Sequence, residues 1–244
     1  MSHVSAIVKR EFAGYFATPL AYVFIVIFLL LSGILTFYLG DLYASNQADL
    51  SPFFGFVPFL FLFLIPAIGM RLWSEEHRSG TIELLMTLPI SLWQAVLGKF
   101  LAAWAFSGVA LFLTFPLWIT INYLGEPDNG ATFAGYVGAF LVAGSFLAVG
   151  SCLSAMTKNQ VIAFVLTLVV CFAFVMIGFP PFVRALSGIL PPNMVEFVAD
   201  FSVFTHWDGI AKGVLELRSL VYFASVILTF LLATMFVLEF KRAD

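Results

Sequence analysis

Few residues in this chain are equipped for chemistry, and their spacing limits what they can do. Glu75-Glu76-His77 sets carboxylates beside an imidazole, but the second histidine of a His-Glu-x-x-His zinc hydrolase does not follow. Gly98-Lys99 carries the lysine of a phosphate-binding loop without its Ser/Thr, since Phe100 comes next, and without the earlier glycine. No Gly-x-Ser-x-Gly occurs. His206 and Asp208 flank Trp207 and offer two ligands where zinc takes three or four, so an interfacial tryptophan among loop polars is the plainer reading. Cys152 and Cys171 lie in apolar runs and suit packing. No catalytic residue, bound metal or bound cofactor is expected, and an ATP-driven activity would need its ATP and Mg in a separate subunit.

The elements that position these residues are written in the composition. The chain has 244 residues, 62% hydrophobic and 10% charged, where soluble domains run about 45–50% apolar and about 25% charged. Lipid is the expected solvent for most of it. Six runs approach the roughly 20 apolar residues that a spanning helix needs: Leu20–Gly40, Phe53–Met70, Phe100–Leu124, Thr132–Met156, Val161–Phe179 and Leu220–Leu238. Their interiors lack Asp, Glu, Lys and Arg, which disfavours a proton or ion pathway. Pro58, Pro66 and Pro116 are expected to kink their helices, and Pro180-Pro181 to stop the fifth. The first run is too long for a secretory signal and is read as a retained anchor. The fold class expected is an all-α polytopic membrane protein.

Six spans put both termini on one side. That side collects Lys9, Arg10, Arg71, Arg78, Lys99, Lys158, Lys241 and Arg242, eight of the eleven basic residues, and the other receives Arg184, Lys212 and Arg218. The bias predicts cytoplasmic termini. Residues 3–17 align Val4, Val8, Phe12, Tyr15 and Phe16 on one face, as in a helix lying in the membrane interface within residues 1–19. In the outer segment 180–219, Asn193 and Glu196 have capping-box spacing before an apolar stripe of Met194, Phe197, Val198 and Phe201. A second stripe, Ile210, Val214 and Leu217, follows Asp208-Gly209, giving two short amphipathic helices over the bundle. Small-residue ridges, Gly135-Ala139-Ala143 and Gly144-Ala148-Cys152, permit close packing of the fourth span, within one subunit in preference to between two.

The most charged stretch is the loop of residues 71–99. Ser79 or Thr81 can cap a helix with Glu83 in its first turn, where a carboxylate favours the dipole. Ile82, Leu85 and Met86 then share a face, Pro89 ends the element, and Ser91 with Gln94 forms a capping box that opens the helix into the third span. Such a piece is either a solvated turn or a short helix on which a soluble partner presses.

Glu75-Glu76-His77-Arg78-Ser79-Gly80-Thr81-Ile82-Glu83-Leu84-Leu85, with Leu88-Pro89-Ile90-Ser91 and Leu97-Gly98-Lys99, resembles the coupling-helix loop of ABC-2-type permeases. Gly150 to Gln160 is similar to that family's cytoplasmic turn between spans four and five, and the likeness covers nearly the whole chain as a single transmembrane domain, 1–244. The run through Phe201-Ser202-Val203-Phe204 and Gly213-Val214-Leu215-Glu216-Leu217-Arg218 resembles the gliding-motility and nitrous-oxide-maturation branch.

The resemblance implies a multi-pass protein of the bacterial inner membrane, paired with a second copy or a related permease and driven by a separate ABC ATPase. Glu75, Glu76, Arg78 and Glu83 would make polar contacts to that ATPase and Ile82, Leu85 and Met86 apolar ones, with Ser79, Gly80 and Thr81 in the same coupling segment. Lys158 and Asn159 would form the second cytoplasmic turn. An apolar or amphipathic cargo is expected. Alternatively the motion passes through 182–219 to an extracytoplasmic accessory subunit with nothing crossing the bilayer. No nucleic-acid partner is expected.

Overall fold

The structure, a computed structural model, describes residues 3–43, 48–81, 90–188 and 191–243. Among them the regular elements are helical. Helix α1 (His3–Phe16) precedes α2 (Pro19–Ile34), which ends in a π turn, Leu35–Leu39. Helix α3 (Ser51–Gly69) runs into α4 (Arg71–Ser79), α5 (Leu92–Phe112) into α6 (Phe115–Leu124), and α7 (Asn129–Met156) is followed by α8 (Gln160–Met176). Three short helices, α9 (Pro180–Ser187), α10 (Pro192–Asp200) and α11 (Val203–Ala211), lead to α12 (Leu217–Ala243). Five helical stretches are long and apolar enough to cross a membrane, and six if α8 and α9, which meet at 67°, count as one. This is an all-α polytopic membrane protein.

Helix α7 is the axis. Its small residues let other helices come close: a Cβ on Gly135 would lie 2.5 Å from the Phe54 ring, and one on Gly144 2.8 Å from Trp104. Gly69 and Gly150 meet backbone to backbone, a Cβ on Gly69 falling 3.2 Å from the Gly150 Cα. Both ridges read from the sequence are thus used for packing within the chain.

Prolines act less uniformly than expected. The second span continues across Pro58 and Pro66 as one helical stretch, Ser51–Ser79. The third breaks at Leu113-Thr114, just before Pro116, and Thr114 Oγ1 donates to the Leu111 carbonyl at 2.6 Å while meeting the Tyr136 hydroxyl at 3.0 Å. At Pro180-Pro181 the chain bends and helix resumes, because proline suits the first turn of a helix.

The segment before the last span differs from the sequence reading. It holds three helices. Pro191 and Pro192 start α10 ahead of Asn193, which lies inside the helix, and no side chain caps it. Asp208-Gly209 falls within α11, and the chain turns at Gly213, whose φ of 89° suits glycine. Helix α11 wedges into the bundle, with Trp207 and Ile210 against Gly138 and Trp207 edge-on to Phe54. Val214 and Leu217 are exposed, as are Met194, Phe197 and Phe201.

Candidate functional site

One end of the bundle gathers α1, α4, the start of α5, the end of α7, the start of α8 and the end of α12, and we call it the base. At its centre is α4. Residues 71–79, expected as loop, form a helix that extends the second span and ends at Gly80 in the left-handed conformation with φ 72°. Its inner face buries Leu72, Trp73 and Ser74, and its tip, Arg78-Ser79-Gly80, is exposed.

The first N–H groups of a helix have no partner within it. Ser154, one turn beyond Gly150 on α7, serves two of them: its hydroxyl accepts from Trp73 N–H at 3.1 Å and Ser74 N–H at 3.0 Å, and donates to the Met70 carbonyl at 2.8 Å. The Trp73 indole N–H donates to Ser151 Oγ at 3.1 Å. The Gly69–Gly150 approach makes this possible, since only that short separation lets a serine hydroxyl reach the neighbouring backbone.

Charge binds the outer side of α4. Lys99, at the start of α5 and 4% exposed, sits between Glu76 at 2.9 Å and Glu11 of α1 at 3.2 Å, with its ammonium 5.6 Å from the centre of the Trp73 ring. A lysine so buried persists because carboxylates and an aromatic face replace its water. Glu11, which the sequence placed off the packing face of α1, is turned inward, and Ile7 beside it packs on Gly98. Helix α1 therefore lies against α5.

Glu75 is held by Arg71 at 3.5 Å and receives a hydrogen bond from the Gln160 side chain. Thr81 Oγ1 donates to Glu76, and Ser79 Oγ turns back to the Glu75 carbonyl at 2.8 Å, so it closes α4 and does not face forward as a cap. Ser91 and Gln94 form the reciprocal capping box, at 3.1 and 3.3 Å. Asn159 caps α8 through Val161 N–H at 2.9 Å, and Lys158 is exposed on the same turn. Ile82, Glu83, Leu85 and Met86 lie outside the described residues.

Of the residues singled out for coupling, the fold thus joins Glu75, Glu76, Ser79 and Thr81 in one network and leaves Arg78 and Gly80 at the tip. Sequence reasoning missed Lys99, Glu11, Trp73, Ser151 and Ser154. A lysine abutting an apolar span and the Gly150-x-x-x-Ser154 spacing were the available signals.

At the opposite end, His206 stacks on Tyr222 with ring centroids 4.1 Å apart; its Nε2 donates to the Asp200 carbonyl at 3.1 Å and its Nδ1 accepts from Ser219 Oγ at 3.2 Å. Asp208 pairs with Lys212, so the two side chains once considered as metal ligands are engaged separately.

Five helical crossings, or six with the bent α8–α9 pair, a helix in front of the first and a charged helical joint after the second fit a transporter's membrane subunit. Residues 5–235 match the ABC-2 family transporter protein, and the chain belongs to that family. A comparison with curated proteins gives no significant match. Membership makes it the permease subunit of an ABC transporter, a class of membrane subunit that is generally non-catalytic and works with an ABC ATPase.

Proposed function

We propose that this chain is the membrane half of an ATP-driven exporter of the bacterial inner membrane, with both termini cytoplasmic and the base facing an ATPase subunit. The observation that carries the reading is the joint itself. Helix α4 is fastened to α1 and α5 through Lys99, to α7 through Ser151 and Ser154, and to α8 through Gln160. A force applied near the exposed tip, Arg78 to Gly80, is therefore shared among several spans at once. Two copies would pair, and ATP-driven closure of two ATPases, with ATP and Mg bound there, would move their joints together toward or away from a cargo route. Spans free of ionisable interiors favour an apolar or amphipathic cargo. The sequence likeness favours the gliding-motility and nitrous-oxide-maturation branch.

A second reading is supported by the apolar stripe of Met194, Phe197 and Phe201, exposed in the single chain. An extracytoplasmic or membrane partner seated there would receive the motion, with no cargo crossing. Replacing 182–201 with a polar helical segment separates the two. An exporter keeps ATP-dependent cargo release, whereas a transmitter loses its partner and its function together.

The direct test is affinity capture of the tagged protein in mild detergent. An ATPase should co-purify, and Glu83→Lys should reduce its recovery at least tenfold with membrane insertion unchanged. Undiminished recovery removes the coupling role of the 82–89 stretch.

A further inference from the structure

The base carries basic groups that its joint does not use. Lys241, near the end of α12, donates to the last carbonyls of α7, Ala155 at 3.0 Å and Met156 at 2.8 Å. Those acceptors bear only the partial negative charge of a helix end. Lys158 lies two residues beyond Met156, whose carbonyl holds Lys241, so both ammonium groups belong to this corner of the base, where the charge of Lys158 acts on Lys241. Among the described residues neither lysine has a carboxylate within 4.0 Å: Glu75 and Glu76 are engaged with Arg71 and Lys99. Glu239 is exposed and lies two residues from Lys241, on the opposite side of α12.

Directly beneath runs an apolar groove of about 480 Å³, lined by Met156, Phe236, Val237, Phe240 and Lys241. Phe236 and Phe240 are 71% and 72% exposed. A groove lined at its water end by Lys241, with Lys158 two residues from its Met156 wall and bare aromatic walls along a spanning helix, matches one chemistry, an anion carried on a hydrocarbon chain. A soluble anion would leave the phenylalanines bare, and a neutral lipid would leave the charges uncompensated.

We propose that this groove binds one anionic phospholipid, its phosphate on Lys158 and Lys241 and an acyl chain along Met156, Phe236 and Phe240. Bound there, the lipid bridges the end of α7 to α12 and neutralises the cations that otherwise repel across that seam. The site needs only the membrane, and its test is independent of any ATPase.

The experiment is native mass spectrometry of the full chain released from nanodiscs of phosphatidylcholine containing a minor fraction of phosphatidylglycerol. Wild type should retain phosphatidylglycerol above its share of the mixture. Each lysine beside an anionic headgroup contributes about fivefold, so Lys158→Gln should lower the enrichment about fivefold, and Lys158→Gln with Lys241→Gln about 25-fold. Lys158 makes no contact that the fold requires, so the single variant stays informative if loss of the Lys241 hydrogen bonds disturbs the helices. Lys9→Gln, on α1, should change nothing. Wild type retaining the two lipids in proportion to the mixture overturns the site. So does enrichment unaltered by Lys158→Gln.

Discussion

The two ends of this bundle are held by different forces. At the base, elements far apart in sequence are joined by hydrogen bonds and ion pairs around α4, and Lys99 alone draws together residues 11, 76 and 99. At the opposite end, α11 is wedged among α3, α7, α8 and α12 mainly by apolar bulk, Trp207 and Ile210 on Gly138, with polar ties from His206 and from its cap Ser202, which donates to the Phe174 carbonyl. Polar contacts are directional and few, so a joint built from them keeps its parts in register when displaced. Apolar contact tolerates sliding but penalises lost volume. The base is thus built to hold register and the wedge to fill volume.

That assignment can be broken in graded steps. Lys99→Met leaves Glu11 and Glu76 facing each other without a cation, and a broken buried pair costs about 3–5 kcal/mol. Denaturant unfolding should register the loss, while Lys99→Arg should recover most of it; a variant as stable as wild type would show the joint to be ornamental. Ser154→Ala removes the acceptor of two N–H groups and should cost about 1–3 kcal/mol. Its effect in hydrogen exchange should centre on residues 70–75, and uniform exchange across the bundle would contradict a local joint. Gly138→Val drives a side chain into Ile210, whose Cγ2 lies 2.5 Å from the added Cβ. Overpacking of this kind costs about 1–3 kcal/mol, and raised exchange should appear in residues 203–211 with the base undisturbed.

The smallest effect concerns pH. Burial holds the His206 imidazole below its ordinary pKa, the nearby Arg218 charge adding to this against the pull of the Asp200 carbonyl and of the Asp200 and Glu216 carboxylates. The unfolded imidazole takes a proton near pH 6.5. Stability from the neutral ring is thus present above that value and falls as pH drops through the lower folded pKa. Protection of residues 203–211, corrected for intrinsic rates, should weaken between pH 7 and pH 5, and His206→Gln should abolish the trend.

How much of this was legible depended on range. The Ser91–Gln94 box and the apolar runs are local patterns, and they appear where the residues put them. Asn193 failed as a cap because the preceding prolines fix φ and begin the helix earlier. Gly209 resembled a helix start, yet its site has nothing within 4 Å of an added Cβ, whereas Gly213 has the positive φ that ends a helix. The partnership of Lys99 with Glu11 spans 88 residues, and no periodicity encodes it. The inward turn of Glu11 follows from Ile7 docking on Gly98, a contact that exists only after α1 and α5 have packed.

The bend at Pro180 sets the geometry of the surrounding lipid. Helix α8 has 17 residues and α7 has 28, lengths of about 26 and 42 Å, against a hydrocarbon core of about 30 Å. Helix α9, about 12 Å long and departing at 67°, adds about 5 Å of depth, which brings the bent pair to the thickness of that core. That span reaches the full depth only by turning, so lipid at this corner borders the end of one helix and the side of the next.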